Sequence, residues 1–106
     1  MTVSISLDKI AAQNFTIVID GLRYDVTIKV AFYYMICDIK IDGVKVISGQ
    51  NILNGEPLLP YPYLENGGGN FIFLSDTEED PWYENFGGTD ILVYIERAEL
   101  VAARGG

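Results

Sequence analysis

Histidine is absent from this 106-residue sequence, cysteine occurs once, at Cys37, and proline four times. Without histidine there is no Ser-His-Asp or Cys-His nucleophile, no imidazole metal ligand and no side chain that ordinarily titrates near neutral pH. One cysteine excludes an intrachain disulfide and a cysteine-rich zinc site. Basic residues are scarce as well: seven Lys and Arg stand against fifteen Asp and Glu, a formal charge of −8. That balance argues against nucleic acid, whose phosphates are neutralised by Lys and Arg. The longest unbroken apolar run is the stretch from Val30 to Cys37, far short of the ~20 residues of a membrane helix, so no membrane partner is expected. Residues Met1 to Asp8 carry neither a basic n-region nor a long apolar h-region, and no secretion signal is expected. Acid–base chemistry would have to run on carboxylates, Lys or Tyr. The sequence offers no catalytic residue, no metal ligand set and no cofactor-binding motif.

What is present is alternation. The 49% hydrophobic content excludes intrinsic disorder, and the length suits one core that buries roughly 65% of the unfolded surface. Phe15, Ile17 and Ile19 alternate with Thr16, Val18 and Asp20, and Asp20-Gly21 follows as a tight-turn dipeptide. Leu22, Tyr24, Val26, Ile28 and Val30 then alternate with Arg23, Asp25, Thr27 and Lys29, predicting a hairpin over about residues 14–31. The device repeats from Tyr34 to Ile41, through Asp42-Gly43, to the strand from Val44 to Ser48. A third pair is predicted at Asn70 to Ser75 and Ile91 to Glu96, with a short edge strand over residues 3–7. Six to seven short strands joined by Gly, Asn and Asp predict an all-β fold, a small antiparallel β-barrel or sandwich. Residues 1–97 read as one all-β domain. The tail 98–106 is left open between helix and disorder, and Asp8 to Asn14 is the best other helix candidate.

Two connections exceed the usual loop length. The first, Gly49 to Gly69, holds three of the four prolines yet is rich in Leu, Ile and Tyr, so it should pack across an open end or face of the sheet. The second, Asp76 to Asp90, gathers Asp76, Glu78, Glu79, Asp80 and Glu84 around Pro81, Trp82, Tyr83 and Phe86. Its acids have enough oxygens for Ca²⁺ but not the EF-hand spacing, and a solvated face is the simpler reading. Gly67-Gly68-Gly69 lacks the Lys-Ser/Thr of a phosphate loop and reads as a turn. Cys37 falls on an apolar face with Met35, Ile39 and Ile41, as a small core residue. Phe32, Tyr34 and Phe71 are assigned to the core, whereas Trp82, Tyr83 and Phe86 are candidate partner contacts. Val30 to Cys37, Phe71 to Leu74 and Ile91 to Ile95 are apolar at every position, so both strand faces need cover. A homo-oligomer or a place in a larger assembly would supply it.

The order of these motifs resembles the small baseplate plug proteins of contractile-tailed phages. The resemblance spans about residues 13–95: Gln13-Asn14-Phe15-Thr16-Ile17, Asp20-Gly21-Leu22-Arg23-Tyr24, Asp38-Ile39-Lys40-Ile41-Asp42-Gly43 and Ile47-Ser48-Gly49. Leu53, Gly55, Pro57-Leu58-Leu59 and Tyr61-Pro62-Tyr63-Leu64 follow, then Gly-Gly before an apolar strand, Pro81-Trp82-Tyr83-Glu84-Asn85-Phe86-Gly87 and Leu92-Val93-Tyr94-Ile95. It departs from the family pattern at Ala31-Phe32-Tyr33-Tyr34, where a polar break is usual, and in the heavier acidic run at 76–80. The resemblance implies a non-enzymatic virion part of the tail baseplate, made in the host cytoplasm. Its implied partners are other baseplate proteins (hub, spike, tube or wedge), and it implies no cofactor. The alternative is a stand-alone carbohydrate- or ligand-binding β-module with Ca²⁺ in the acidic loop.

Overall fold

A computed structural model describes residues 2–77 and 79–105; Met1, Glu78 of the acidic connection and Gly106 of the tail lie outside the described residues. Alternation and turn chemistry build one sheet directly. Strands β2 (Ala12–Ile19), β3 (Leu22–Ala31), β4 (Tyr34–Ile41) and β5 (Val44–Asn51) form an antiparallel meander, with β1 (Thr2–Ile5) preceding it. Asp20 and Gly21 both take positive φ, as do Asp42 and Gly43, the type I′ turn that matches the twist of the flanking strands. Tyr24, Val26 and Ile28 on β3 and Met35, Cys37, Ile39 and Ile41 on β4 are buried together. On the opposite face Asp25 stands across from Lys40 and Lys29 pairs with Asp38 at 3.5 Å, so opposite charges meet along that face. Asp38 also accepts from the backbone N–H of Gly49, which takes positive φ where the β4–β5 register slips.

A second sheet packs over the first. Strands β6 (Asn70–Ser75) and β7 (Asp90–Ile95) pair antiparallel, β1 adds to the far side of β7, and the order is β1-β7-β6. Three strands in one sheet and four in the other make a sandwich, not a closed barrel. Phe71, Phe73, Leu92 and Tyr94 point inward from β6 and β7. Phe71 packs edge-on against Tyr24 (5.3 Å) and Tyr94 (5.0 Å), the aromatic geometry that ring quadrupoles prefer. The two tyrosine hydroxyls meet at 3.1 Å, and Tyr94 Oη donates to Asp20 Oδ2 while accepting the Gly69 N–H. A Cβ on Gly69 would overlap the Ile95 carbonyl oxygen, and one on Gly68 the Tyr24 hydroxyl. Close approach explains the glycine run.

Three sequence expectations are corrected. Asp8 to Asn14 is not helical: Asp8 and Gln13 exchange two hydrogen bonds (3.0 and 2.7 Å) that bend the chain into β2. Phe32 and Tyr34 are not core residues, because the apolar run from Val30 to Cys37 is interrupted by a two-residue turn at Phe32-Tyr33. The Gly49–Gly69 connection, expected across an open end or face, pairs instead along the open edge of β6 before Glu65 reaches the carboxy-terminal helix. Gly55 and Leu58 donate to the carbonyls of Phe73 and Phe71, and Pro57 bridges Ile72. This lays Ile52, Leu58 and Leu59 into the core.

The carboxy-terminal residues Arg97–Ala103 form helix α1. Its first N–H, from Arg97, is capped from the hairpin turn by Asp20 Oδ2 at 2.8 Å. The buried carboxylate of Glu65 ties it down, accepting from Arg97 (3.3 Å) and from both guanidinium arms of Arg104 (2.8 and 2.7 Å).

Candidate partner-binding site

At the opposite end from this clamp, the β3–β4 turn carries Phe32 and Tyr33, 85% and 95% exposed. Two large rings standing in water at a turn tip are costly for solubility and offer the fold no packing. Phe32 also holds φ at +60°, with positive φ confined to the first central position, the φ pattern of a type II′ turn where glycine is the normal residue. The other two hairpins meet this demand with Asp-Gly. A strained, exposed aromatic turn in an otherwise well-adapted meander marks a functional position.

The Asp76–Asp90 connection comes alongside this turn and is rigidly built. Phe86 is 1% exposed and stacks on Phe73 (5.4 Å, 23°). Asp90 is buried, and its carboxylate accepts the Trp82 N–H at 2.9 Å. Asn54 ties the two long connections together: its amide binds the Thr77 carbonyl and the Ser75 N–H, and its own N–H reaches Asp80 Oδ1. Trp82 and Tyr83 pack on one another (5.0 Å) and remain half-buried, with the indole N–H satisfied by Glu84 (3.0 Å). Tyr33, Tyr34, Glu79, Asp80, Pro81 and Trp82 line a groove of about 410 Å³ between turn and loop. Of the three residues proposed from sequence as contacts, Trp82 and Tyr83 therefore keep surface. Phe86 has none to offer and anchors the loop from below.

Sequence reasoning missed Phe32 and Tyr33, although a signal was there. Inward positions are even on β3 (24, 26, 28, 30) and odd on β4 (35, 37, 39, 41). A regular strand keeps its parity, so the shift between Val30 and Met35 signals a turn or a bulge inside the apolar run, and the structure makes it the two-residue turn at Phe32-Tyr33.

Charge is unevenly placed around this groove. From Val46 to Glu96 the chain has no Lys or Arg, but carries Glu56, Glu65, Asp76, Glu78, Glu79, Asp80, Glu84, Asp90 and Glu96. Glu65 is neutralised by its two arginines and Asp90 is buried under Trp82. Among the described residues, no ion pair involves Asp76, Glu79, Asp80 or Glu84. Lys29, beside Val30 on β3, is a cation toward this end and is paired with Asp38 at 3.5 Å.

The titratable groups whose chemistry the fold shifts lie away from this groove. Burial, with help from the nearby Asp38 charge, pushes the Cys37 thiol up to about 12, far from a thiolate at neutral pH. Burial also raises the Tyr24 and Tyr94 hydroxyls. The Asp38 carboxyl is lowered, first by the Gly49 N–H and then by Lys29 and Lys45. Among the described residues, no group of three or more His, Cys, Asp or Glu is placed to hold a metal ion.

Comparison with known families adds one finding. A family model described as the cyanophage baseplate Pam3 plug gp18 matches residues 2–98. No curated protein matches the chain.

Proposed function

The chain belongs to the cyanophage baseplate plug family, whose members are structural parts of the phage tail, and from that premise we propose that it works by packing. Its contact with a neighbouring baseplate protein, at the central hub or spike, is the aromatic end made by Phe32, Tyr33, Tyr34, Trp82 and Tyr83. The observation that carries this reading is the exposed Phe32-Tyr33 turn, held in a strained backbone beside a loop whose core anchors leave Trp82 at the surface. Aromatic side chains supply contact area at low entropic cost and dominate the energetics of interfaces.

A second contact falls on the outer face of β6 and β7, where Leu74 opposes Ile91 and both are half-exposed. We assign it to self-association or to another tail protein. Light scattering behind a sizing column decides between these: a monomer at tens of micromolar refutes self-association.

The decisive experiment complements a phage lacking this gene with variants and measures the protein in purified tails. Trp82→Ala and Tyr33→Ala should lower incorporation about tenfold or more, the scale of one interface hot spot. Tyr33→Ala, at an exposed ring, should leave thermal unfolding unchanged, whereas Trp82→Ala also loses packing on Tyr83 and the core and is compared at a temperature where it stays folded. Tyr61→Ala, in the stacked Tyr61–Tyr63 pair away from the groove, should leave it intact. Normal tails containing both groove variants would refute the contact. Purified tails that lack the wild-type protein would refute the structural role.

A further inference from the structure

The groove at the aromatic end combines two features that recognise the same chemistry. Tyr33, Tyr34 and Trp82 present aromatic faces, and Glu79 and Asp80 stand exposed on its rim. Aromatic faces attract cations through the ring quadrupole, with Trp the strongest and Arg the commonest partner. Carboxylates without a cation of their own attract the same groups, and more so beside a low-dielectric wall. An apolar partner segment would satisfy the rings but leave these acids pressed against it, and an acidic one would be repelled.

We propose that this groove takes a Lys- or Arg-bearing segment of a neighbouring protein, its cation stacked on Tyr33 or Trp82 and paired with Glu79 or Asp80. The proposal names the partner chemistry for the contact read above and rests on that reading. Charge complementarity selects the occupant: the chain between Val46 and Glu96 brings acids to this end and no base. Asp80 is pre-positioned, since one of its oxygens is held by the Asn54 N–H. The Trp82 indole N–H is already satisfied by Glu84 and its ring is braced by Tyr83, which holds it in place at the groove.

The sequence has one tryptophan, so Trp82 emission reports directly on the groove of the full-length chain. The probe is a synthetic hexapeptide alternating Arg and Gly, compared with the same peptide carrying citrulline, the neutral isostere, in place of Arg. Saturable quenching of Trp82 is expected with the Arg peptide, and about tenfold weaker binding with citrulline. Affinity should also fall steeply between about 20 mM and about 300 mM salt, as charge screening requires. Glu79→Gln with Asp80→Asn, which keeps the acceptor for Asn54, should cost about fivefold. Tyr33→Ala should cost as much, while Tyr61→Ala leaves affinity within about twofold. Equal binding of the citrulline peptide, or groove variants with wild-type affinity, would overturn the proposal.

In assembled tails, a benzophenone side chain at position 33 should cross-link to a peptide of another protein with Lys or Arg beside the adduct. An adduct to an acidic segment, or to a second copy of this chain, would count against it. The two readings fail separately. A chain that binds the Arg peptide yet is missing from tails refutes the baseplate role and keeps the groove chemistry. A chain present in tails whose groove ignores the cation does the reverse.

Discussion

The Phe32-Tyr33 turn makes a quantitative demand on stability. Phe32 at φ +60° holds a side chain where glycine belongs, a strain of about 1–3 kcal/mol. At 85% exposure its ring keeps only about 30 Å² of some 200 Å² from water, worth about 0.8 kcal/mol. Phe32→Ala loses that sliver of burial and keeps the Cβ that causes the strain. Phe32→Gly loses the same burial but relieves the strain, at a glycine entropy cost of about 0.5–1 kcal/mol. With the strain near 2 kcal/mol, Phe32→Gly should exceed Phe32→Ala in stability by about 1 kcal/mol, or about 4–8 °C in Tm for a domain of this size. Phe32→Gly itself should unfold within a few degrees of the wild type. Both should impair tail incorporation alike, since both remove the ring. The assays are thermal unfolding by circular dichroism and quantification of the protein in complemented tails. Phe32→Ala equal to or more stable than Phe32→Gly would refute the strain argument. Full incorporation of both would show that the ring is not kept for contact.

Gly69→Ala should destabilise the fold by about 3 kcal/mol or more, because its Cβ meets the Ile95 backbone and displaces the Gly69 N–H from Tyr94 Oη; chemical denaturation measures this, and a loss under about 1 kcal/mol would contradict the packing described. Glu65→Gln should cost about 2 kcal/mol and loosen α1, read as faster amide exchange at Leu100 to Arg104 with the sandwich core still protected. Stability should fall at high pH. The Cys37 thiol is neutral in the fold up to about 12 but ionises from about 8.5 once unfolded, so the unfolded state holds fewer protons, and stability drops by about 1.4 kcal/mol per unit above that point. Tyr24 and Tyr94, also raised, add the same sign above about pH 10. Cys37→Ala should flatten the first part of that decline in a denaturation series from pH 8 to 11, and an unchanged slope would exclude Cys37 as its source.

Much of the sandwich could be read from residues two apart. Asp20-Gly21 and Asp42-Gly43 satisfy their own turns locally, and the alternation from Leu22 to Val30 states which face is buried whatever lies opposite. The all-β class, the pairing of β2 with β3 and of β4 with β5, and the burial of Cys37 follow from those local rules and from the hydrophobic effect alone. The family resemblance rested on the same motifs, and the family match over residues 2–98 agrees with it.

The candidate site was decided at longer range. Phe32-Tyr33 carries no turn preference of its own; the parity shift between Val30 and Met35 is its trace in the sequence, and the pairing of β3 with β4 makes it a turn. Nothing periodic in Asp76–Asp90 separates Phe86, sunk on Phe73, from Trp82, lifted to the surface; the buried Asp90 carboxylate makes that distinction. Likewise Glu65 looks like one acid among fifteen until Arg104, 39 residues on, closes over it, and Asp20 caps a helix 77 residues away. Backbone preference and periodicity act over a few residues, so they determine strands, turns and faces. Which aromatic rings and which carboxylates share a surface depends on how the two sheets meet, and that is a property of the assembled sandwich.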